Sequence, residues 1–276
     1  MLETMSELRE ANMDILRKFD GFCNSHGIRY FISFGTLLGA VRHQDFIPWD
    51  DDLDITMLRE DYERLAAIPA EEYPAGCSLV EPGHDGMFCG FTPMFKDDNY
   101  SGKMIKGTDY DDGTGIGRLG IDIFVLDPSY RGLRHTILTY RQYMLYAEAR
   151  AYRPVPKPLD TKKPKIIAVP LVKIFQAIGR RKSLDRILSK YWRITLNLKT
   201  DGRTLYSPCN LPHEFCHEYK AEWFKDTVYL RLGDGEFPAP SGYKELMEVY
   251  FGDYMQLPPE EKRVPEHFVL KEYQGQ

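Results

Sequence analysis

The sequence has no apolar run as long as the roughly 20 residues that a membrane-spanning helix requires. Its first residues, Met1 to Thr4, are polar and acidic, unlike the basic start of a secretory signal peptide. Cysteine is sparse and odd in number, at five of 276 residues, which is not the pattern of a disulfide framework. Positive net charge is also missing, since the formal net charge is −5. We therefore expect a soluble, cytoplasmic protein with no nucleic-acid partner.

Apolar residues, by contrast, are plentiful. They make up 43% of the chain, and 18 tyrosines and 15 phenylalanines are among them. This supply fills the core of one large domain, or of a domain with a sizeable insertion. The aromatic residues suit packed walls and substrate stacking.

Four aspartates fall within five positions directly after Trp49: Asp50, Asp51, Asp52 and Asp54. Carboxylates this close repel one another unless a cation lies between them. If the stretch is a β-strand, the three even-numbered aspartates share one face, and Asp51 belongs to the loop or the strand edge. Hard oxygen ligands held in this way predict a site for Mg²⁺, with Mn²⁺ as the alternative.

Two other interpretations of the acidic stretch compete with a magnesium site. An acidic surface loop is the commonest of these, but such loops usually lack flanking Trp and Ile. A calcium loop of the EF-hand type is excluded by position, counting from Asp50. The sixth residue of that loop is Ile55 where glycine is required, and the twelfth is Asp61 where glutamate is required.

A glycine-threonine pair precedes the aspartates. Residues 28–34 are rich in β-branched and aromatic side chains and predict a strand, and Gly35 lets the backbone approach a ligand closely. Thr36 opens a short predicted helix over residues 37–42, whose first amides attract phosphate. Arg42 then suits either donor phosphate or a structural pair with the aspartates. His43 suits a phosphate, a proton transfer or a loop hydrogen bond.

These residues also carry a family resemblance. Gly35-Thr36 followed by Asp52-Leu53-Asp54 resembles the nucleotidyltransferase-fold signature. The longer strings, GTLLGAVRH from residue 35 and FIPWDDDLDI from residue 46, resemble the LicD family of phosphotransferases more narrowly. That family includes bacterial phosphocholine transferases and relatives of fukutin. The similarity is dense over residues 30–57, with weaker echoes at residues 120–124 and in the proline-rich C-terminal part.

The resemblance implies an α/β fold whose mixed, nucleotidyltransferase-like sheet carries three carboxylates. Asp122 matches the third, because it is the one charge in the apolar run from Leu119 to Leu126, and a charge in a buried strand needs a partner or a metal. Asp50, Asp52, Asp54 and Asp122 are then the predicted metal ligands. Lys96 joins Gly35, Thr36 and His43 as a candidate for the donor phosphate, and Arg42 stabilises the transferred group. Asp127, before a proline, is expected in a turn or helix cap.

The family further implies a transferase that uses a CDP-activated donor, releases CMP and depends on one or two Mg²⁺ ions. The group moved is phosphocholine or an alditol phosphate, and the acceptor is a hydroxyl of a glycan or lipid-linked glycan such as lipopolysaccharide or teichoic acid. From the residues alone, three alternatives stay open. They are a nucleotide-sugar glycosyltransferase with an Asp-x-Asp metal site, a nucleotidyltransferase, and a non-catalytic glycan-binding protein.

Periodicity predicts the remaining elements. The predicted helices span residues 2–26, 58–68, 130–151, 166–178, 183–198 and 242–251, and the further strands span 52–57, 77–81, 88–96 and 221–232. Residues 97–120 are expected to form a loop or ragged hairpin that serves as a lid. One catalytic domain over 1–276 follows, with a core of about 1–128, a C-terminal segment of about 200–276 and a helical insertion of about 130–199. The C-terminal segment is expected to fold back over the donor site.

Two features of the insertion and its surroundings admit more than one interpretation. The apolar helix at 166–178 lies between basic residues, which fits a peripheral contact at the inner face of the membrane or a buried helix with a solvated end. Cys209, His213, Cys216 and His217 lie within nine positions and suggest zinc, but their spacing matches no standard finger.

Overall fold

A long N-terminal helix, α1, covers one face of the protein's central sheet. The computed structural model describes residues 1–83, 86–88, 90–106, 114–153, 168–209 and 217–273, without the side chains of 168–170. Helix α1 spans Met5–Ser25 and begins with a capping box, in which Thr4 Oγ1 accepts from the Glu7 amide and the Glu7 carboxylate accepts from the Thr4 amide. Its apolar stripe, including Leu8, Ile15 and Phe19, is fully buried. The helix predicted over 2–26 is confirmed.

The central sheet mixes parallel and antiparallel strands. Among the described residues it has the order β1-β2-β5-β4-β3, with β6 and β7 added beside the end of β5. The strands are β1 Phe31–Ile32, β2 Asp54–Leu58, β3 Cys77–Val80, β4 Met94–Lys103, β5 Ile116–Pro128, β6 Thr204–Tyr206 and β7 Tyr219–Lys220. Strands β2 and β5 are parallel, and the other pairs are antiparallel. This is the mixed α/β architecture that the sequence predicts.

Strands β4 and β5 form a longer hairpin than expected. They pair from Met94–Asp122 to Lys103–Ile116, with a β-bulge between Asp97 and Ser101. The region expected to be a loop or ragged hairpin is therefore largely sheet, and residues 107–113 lie outside the described part of the chain. Strand β4 begins at Met94 rather than at residue 88, because Phe88 and Phe91 pack among helices instead.

Three helices follow β5 in the chain. They are α4 Leu133–Ala149, α5 Ala168–Gly179 and α6 Leu184–Leu196. Helices α4 and α6 build a second apolar cluster with Phe88 and Phe91, separate from the main core, in which Phe91 stacks on Tyr191 at 3.7 Å between ring centroids. The Gln142 side chain joins the layers by donating to Thr195 Oγ1 and to the Tyr206 hydroxyl. The helical character predicted for residues 130–199 is present wherever the structure describes it.

Asp127 has a different role from the one expected. It is buried at the end of β5 and forms a two-pronged ion pair with Arg59, at 2.8 and 2.7 Å. Arg59 is the first residue of helix α3, Arg59–Ala66. The prediction of a turn or helix cap is wrong, because a guanidinium from a distant part of the sequence satisfies both carboxylate oxygens.

Short elements close the opposite side of the molecule. A five-residue helix, α2 Phe34–Leu38, runs into a π-helical turn over Gly39–His43. The hairpin of β8 Thr227–Leu232 and β9 Gly235–Pro240 and the helix α7 Tyr243–Phe251 complete the fold. Tyr250 of α7 stacks on Phe34 at 4.1 Å. In the part of the chain that the structure describes, no helix is both long and apolar enough to cross a membrane.

Candidate active site

Two of the predicted carboxylates stand side by side in the middle of the sheet. Asp54, the first residue of β2, pairs in register with Asp122 of the parallel strand β5. The Asp122 amide donates to the Leu53 carbonyl at 2.8 Å, which fixes this register. Both aspartates are buried, and paired residues of neighbouring strands project from the same face. The structure thus brings together side chains that are 68 positions apart in the sequence.

Gly35 connects this pair to the preceding aspartates. Its amide donates to the Asp54 carboxylate, and a Cβ atom at this position would collide with the carboxylate of Asp50. Only glycine therefore allows the backbone to lie between the two carboxylates. Thr36 is also buried, and its hydroxyl accepts a hydrogen bond from the Asp54 amide at 2.9 Å. The Gly35-Thr36 pair thus positions the start of β2.

Negative charge dominates the electrostatics of the cluster. Burial raises the pKa of the Asp54 carboxyl well above its usual range, and the charges of Asp52, Asp122 and Asp50 raise it further. Burial and the charges of Asp52 and Asp51 do the same to Asp50. Burial likewise raises the pKa of Asp52, although the charge of His267 opposes this. A cation in this place would remove the repulsion that now favours protonation.

Asp51 differs from its neighbours because it is already satisfied. Its two oxygens accept from the backbone amides of Glu266, His267 and Phe268 at 3.2, 2.8 and 2.7 Å, and from His267 Nδ1 at 3.1 Å. Burial raises its pKa, but the hydrogen bonds and charge of His267 outweigh this and hold the pKa below its usual value. Asp51 therefore anchors the C-terminal segment, which does fold back over the acidic strand. We call these contacts of Asp51 with residues 266–268 the C-terminal clasp.

His267 brings a positive charge to the edge of the cluster. Its Nδ1 lies 3.6 Å from Asp52 Oδ2. Burial lowers the pKa of the imidazole, but the hydrogen bond to Asp51 and the charges of Asp52 and Asp51 raise it to about 10. Asp51, Asp52 and His267 are the one group of acidic and histidine side chains in the described residues whose ligand atoms lie within 4.8 Å of one another. Because Asp51 already accepts four hydrogen bonds from residues 266–268, one of them from His267 Nδ1, we interpret Asp52 as the metal ligand of this group.

Arg42 and His43 lie on the other side of Asp50. Arg42 Nε donates to His43 Nε2 at 3.0 Å, and Arg42 Nη1 donates to the Tyr254 carbonyl at 3.0 Å. Burial lowers the pKa of the Arg42 guanidinium, while the Asp50 charge opposes this. Burial and the Arg42 charge lower the pKa of His43, so His43 accepts as a neutral imidazole. Part of the role of Arg42 is therefore to hold the C-terminal segment against the π-helical turn.

Two cations line the sheet face beside Asp122. Arg118, Gly120 and Asp122 alternate along β5 and share a face, and Lys96 pairs with Gly120 on β4. Lys96 lies 3.0 Å and Arg118 3.7 Å from Asp98 Oδ1. Gly120 itself has no side chain between these cations and Asp122, and the Met94 side chain packs over it. A small cavity of about 30 Å³ opens here and is lined by Asp52, Asp122, His267, Arg118 and Gly120, among others.

The donor set fits a hard divalent cation. Asp52, Asp54 and Asp122 supply carboxylate oxygens, which Mg²⁺ and Mn²⁺ prefer, and Asp50 adjoins them. The raised pKa values of Asp54 and Asp50 are the physical sign of carboxylates that face one another without a counter-ion. The zinc interpretation of the cysteine-histidine group has no such support. His213 and Cys216 lie outside the described residues, and Cys209 is buried.

Sequence reasoning missed two residues of this site. Arg118 lies in the region that the sequence predicted to be a loop. Gly120 and Asp122 follow it by two and four positions, and this spacing places all three residues on one face of a strand. His267 was not among the predicted site residues. No local pattern could reveal it, because its partner Asp51 is 216 positions away.

A mixed sheet with paired aspartates on neighbouring parallel strands, and a Gly-Thr turn against them, defines a nucleotidyltransferase-like domain. Comparison with known proteins narrows this class. A family model described as "LicD/FKTN/FKRP, nucleotidyltransferase domain" matches residues 27–149. This part of the chain is thus similar to the nucleotidyltransferase domain of the LicD family, which confirms the resemblance seen in the sequence.

Curated relatives agree with this assignment. The lipopolysaccharide cholinephosphotransferase LicD of Haemophilus influenzae is 28% identical over 279 residues, a match that covers 96% of each chain. The ribitol 5-phosphate transferase FKRP of Homo sapiens is 49% identical over 63 residues, which are 23% of this chain and 12% of that protein. The mouse protein of the same name matches equally.

Proposed function

We propose that this protein is a metal-dependent phosphotransferase. It moves phosphocholine or an alditol phosphate from a CDP-activated donor to a hydroxyl of a cell-surface glycan precursor and releases CMP. Residues 1–276 act together as one catalytic unit. The acceptor oxygen forms a bond to phosphorus while the bond to the bridging oxygen of the diphosphate breaks. CMP leaves with the electron pair, and the hydroxyl proton passes to a carboxylate of the cluster or to water.

The observation that carries this proposal is the in-register pair of Asp54 and Asp122, with Asp52 and Asp50 beside it. Four negative groups at one point suit a cation and the diphosphate that a cation attracts. The functions that name these relatives supply the chemistry. One is a cholinephosphotransferase that matches almost the whole chain, and another is a ribitol 5-phosphate transferase.

Each side chain has a proposed part in binding. Asp52, Asp54 and Asp122 would hold Mg²⁺, with Asp50 adjacent. When bound, the ion supplies neutralisation of the phosphate charge and a lower pKa for the attacking hydroxyl. Lys96 and Arg118 would bind donor phosphate oxygens at the sheet face beside Asp122. Arg42 stays a candidate for the transferred group, because its charge acts on Asp50.

The proposed compartment follows from the donor. CDP-activated compounds are expected in the cytosol, so the reaction is placed there, with the acceptor presented at the inner face of the membrane.

Release of CMP tests the proposal. Purified protein is incubated with Mg²⁺, a glycan acceptor pool and either CDP-choline, CDP-ribitol or CDP-glycerol. We expect CMP from one donor, and a loss of about a thousandfold or more in Asp54→Asn, because the metal cluster stabilises the developing charge. Asp185→Asn, an exposed aspartate in the first turn of α6, is the matched control and keeps full activity.

Release of a different product would indicate a different class of reaction. Release of UDP or GDP from a nucleotide-sugar would indicate glycosyl transfer, and pyrophosphate release from CTP would indicate nucleotidyl transfer. Undiminished turnover in excess EDTA would contradict the metal site. A metal-binding readout that does not need turnover is the thermal shift. Mg²⁺ should raise the Tm of the wild type and of Asp185→Asn, but not that of Asp54→Asn.

A further inference from the structure

Charge is distributed very unevenly along this chain. Residues 130–199 contain seventeen Lys or Arg and three Asp or Glu, a net charge of +14. The rest of the chain contains nineteen Lys or Arg and thirty-eight Asp or Glu, a net charge of −19. The overall value of −5 therefore conceals a strongly basic segment within an acidic protein. We call residues 130–199 the basic helical segment.

Helix α4, within this segment, presents an apolar stripe to solvent. Leu133, Ile137, Tyr140 and Met144 are 75%, 52%, 64% and 39% exposed, respectively. Their spacing of three and four places them on one face of the helix. A soluble helix normally turns such a stripe towards the core, and its opposite face here already packs on α6 and the second cluster. The stripe is about 16 Å long, from the rise of 1.5 Å per residue.

The charges on the exposed face of α4 have one sign, although Glu218 accepts a hydrogen bond from the Gly132 amide just before the helix, at 3.0 Å. Arg134 and Arg141 are exposed on α4, and Arg131 precedes it. The one acidic residue of α4, Glu148, is buried and paired with Lys182 at 2.6 Å. The exposed face of α4 thus combines apolar side chains with arginines and carries no carboxylate.

Helix α5 repeats the same pattern beside α4. Leu171 and Ile174 are 47% and 55% exposed, Lys173 lies between them, and Arg180 and Arg181 follow the helix. The sequence allowed two interpretations of this helix, a peripheral membrane contact or a buried helix with a solvated end. The exposure of Leu171 and Ile174 does not fit a buried helix. Val172 faces inward and is buried, so α5 is amphipathic.

We propose that the exposed faces of α4 and α5 bind an anionic phospholipid surface. Leu, Ile, Tyr and Met side chains would enter the interface between head groups and acyl chains, and the arginines and lysines would contact lipid phosphates. The proposal concerns binding and not turnover, so it stands apart from the transfer reaction.

The chemistry of the face favours lipid over the other occupants. A nucleic acid would use the basic charge but would gain nothing from Leu133, Ile137 and Met144, which offer no hydrogen bonds. A symmetric dimer through this face would bring two segments of charge +14 together, which costs free energy by repulsion. An anionic bilayer matches both properties at once, because it has negative phosphates above an apolar layer.

Vesicle flotation tests the proposal with the full chain. The probes are vesicles of phosphatidylcholine alone and vesicles that also contain phosphatidylglycerol. We expect binding to the anionic vesicles only, weakened by high salt, since the Debye length falls from about 8 Å to about 3 Å between 0.15 and 1 M. Arg134→Ala with Arg141→Ala should lower the partition coefficient by about 10- to 30-fold, at about 1 kcal/mol per charge.

A second variant separates insertion from charge attraction. Ile137→Ser with Tyr140→Ser removes half of the stripe at exposed positions, so folding is unaffected, and we expect a loss of tenfold or more. Tyr229→Ser with Lys225→Ala is the matched control, because Tyr229 is as exposed as Tyr140 but lies on the β8–β9 hairpin. It should bind like the wild type, as should Asp54→Asn, whatever its activity.

Three results would overturn the proposal. One is no binding of the wild type to anionic vesicles, and another is equal binding of the α4 variants and the wild type. The third is a dimer in solution that Ile137→Ser with Tyr140→Ser dissolves, which would show that a second copy covers the stripe.

Discussion

Adjacent aspartates in this protein have opposite effects on stability. Asp51 accepts four hydrogen bonds from residues 266–268 and holds the chain together. Asp50 and Asp54 face other carboxylates, so their ionisation opposes folding in the absence of a cation. One short run of identical residues therefore combines an anchor with a candidate binding site. Such locally unfavourable groups are typical of functional sites, where stability is reduced in favour of ligand binding.

Also at the scale of single residues, substitution of Arg118 tests its proposed contact with the donor phosphate. We predict that Arg118→Ala raises the KM for the CDP donor by about tenfold while kcat changes less, because a phosphate contact worth about 1.4 kcal/mol is present before and during transfer. Arg118→Lys should recover part of the loss. Steady-state kinetics with varied donor measure the split.

Arg193→Ala is the matched control for Arg118, since it removes an exposed arginine from α6, away from the sheet. An unchanged donor KM in Arg118→Ala would remove this residue from the donor site. A fall in kcat alone would assign it to the transition state instead.

Among the elements, the β4 bulge depends on one buried ion pair. Asp97 begins the bulge and has no exposed side-chain surface. It accepts from Lys18 of α1 at 2.8 Å and from the amide and side chain of Asn99 at 2.9 and 2.7 Å. Burial raises the pKa of Asp97, but Lys18 and Asn99 outweigh it and hold the pKa below its usual value. The contact fixes α1 to the sheet where the strand becomes irregular.

This pKa shift predicts a pH dependence of stability. A carboxyl whose pKa is lowered by folding stabilises the protein above its unfolded pKa of about 3.9, and this contribution is lost as the pH falls through the folded value. Asp97→Asn should therefore lower the free energy of unfolding by about 2–3 kcal/mol at pH 7, with a smaller difference from the wild type near pH 3. Urea unfolding at several pH values gives both numbers.

Asp98→Asn is the control for Asp97→Asn. The Asp98 side chain is about half exposed, so its ion pairs with Lys96 and Arg118 contribute little to stability. If the two variants had the same pH dependence, the stabilising role of the buried pair would be contradicted.

The elements were the part of this protein most open to prediction from sequence. Helices α1, α3, α4 and α6 lie within a few residues of their predicted bounds, because apolar periodicity and caps are local signals. The start of β4 was misplaced, because aromatic residues at 88 and 91 indicate a strand but pack between helices. The role of Asp127 was missed because Arg59 is 68 positions away, whereas the Asp-Pro pair is local.

The whole molecule is closed by its C-terminal clasp. Asp51 and His267 are 216 positions apart, yet together they join the acidic strand to the end of the described chain. Helix α7 and Arg42 add further contacts from the same segment, through Tyr250 and Tyr254. The site is therefore not contained in residues 27–149, which match the family model.

We predict that Asp51→Asn lowers the Tm by about 5–10 °C, because an amide nitrogen in place of one oxygen leaves buried amides without an acceptor, at about 2–3 kcal/mol. Activity should fall as well, since His267 loses its anchor beside Asp52. Scanning calorimetry measures the first effect and CMP release the second.

Asp52→Asn separates the two effects, as it should abolish turnover without lowering the Tm. Asp253→Asn, in the same C-terminal region but without a described role in the clasp, is the further control. A Tm for Asp51→Asn equal to that of the wild type would show that residues 266–268 are held by other contacts.

The clasp also sets the order in which the protein matures during synthesis. A ribosome makes Asp50, Asp52 and Asp54 early and Asp122 some seventy residues later, but His267 emerges more than two hundred residues after Asp51. Until then the nascent chain carries its crowded carboxylates without the imidazolium and the amides that hold Asp51. The active site is thus completed by almost the last part of the described chain to be translated, and a truncated product would carry the family's acidic motif without a finished site.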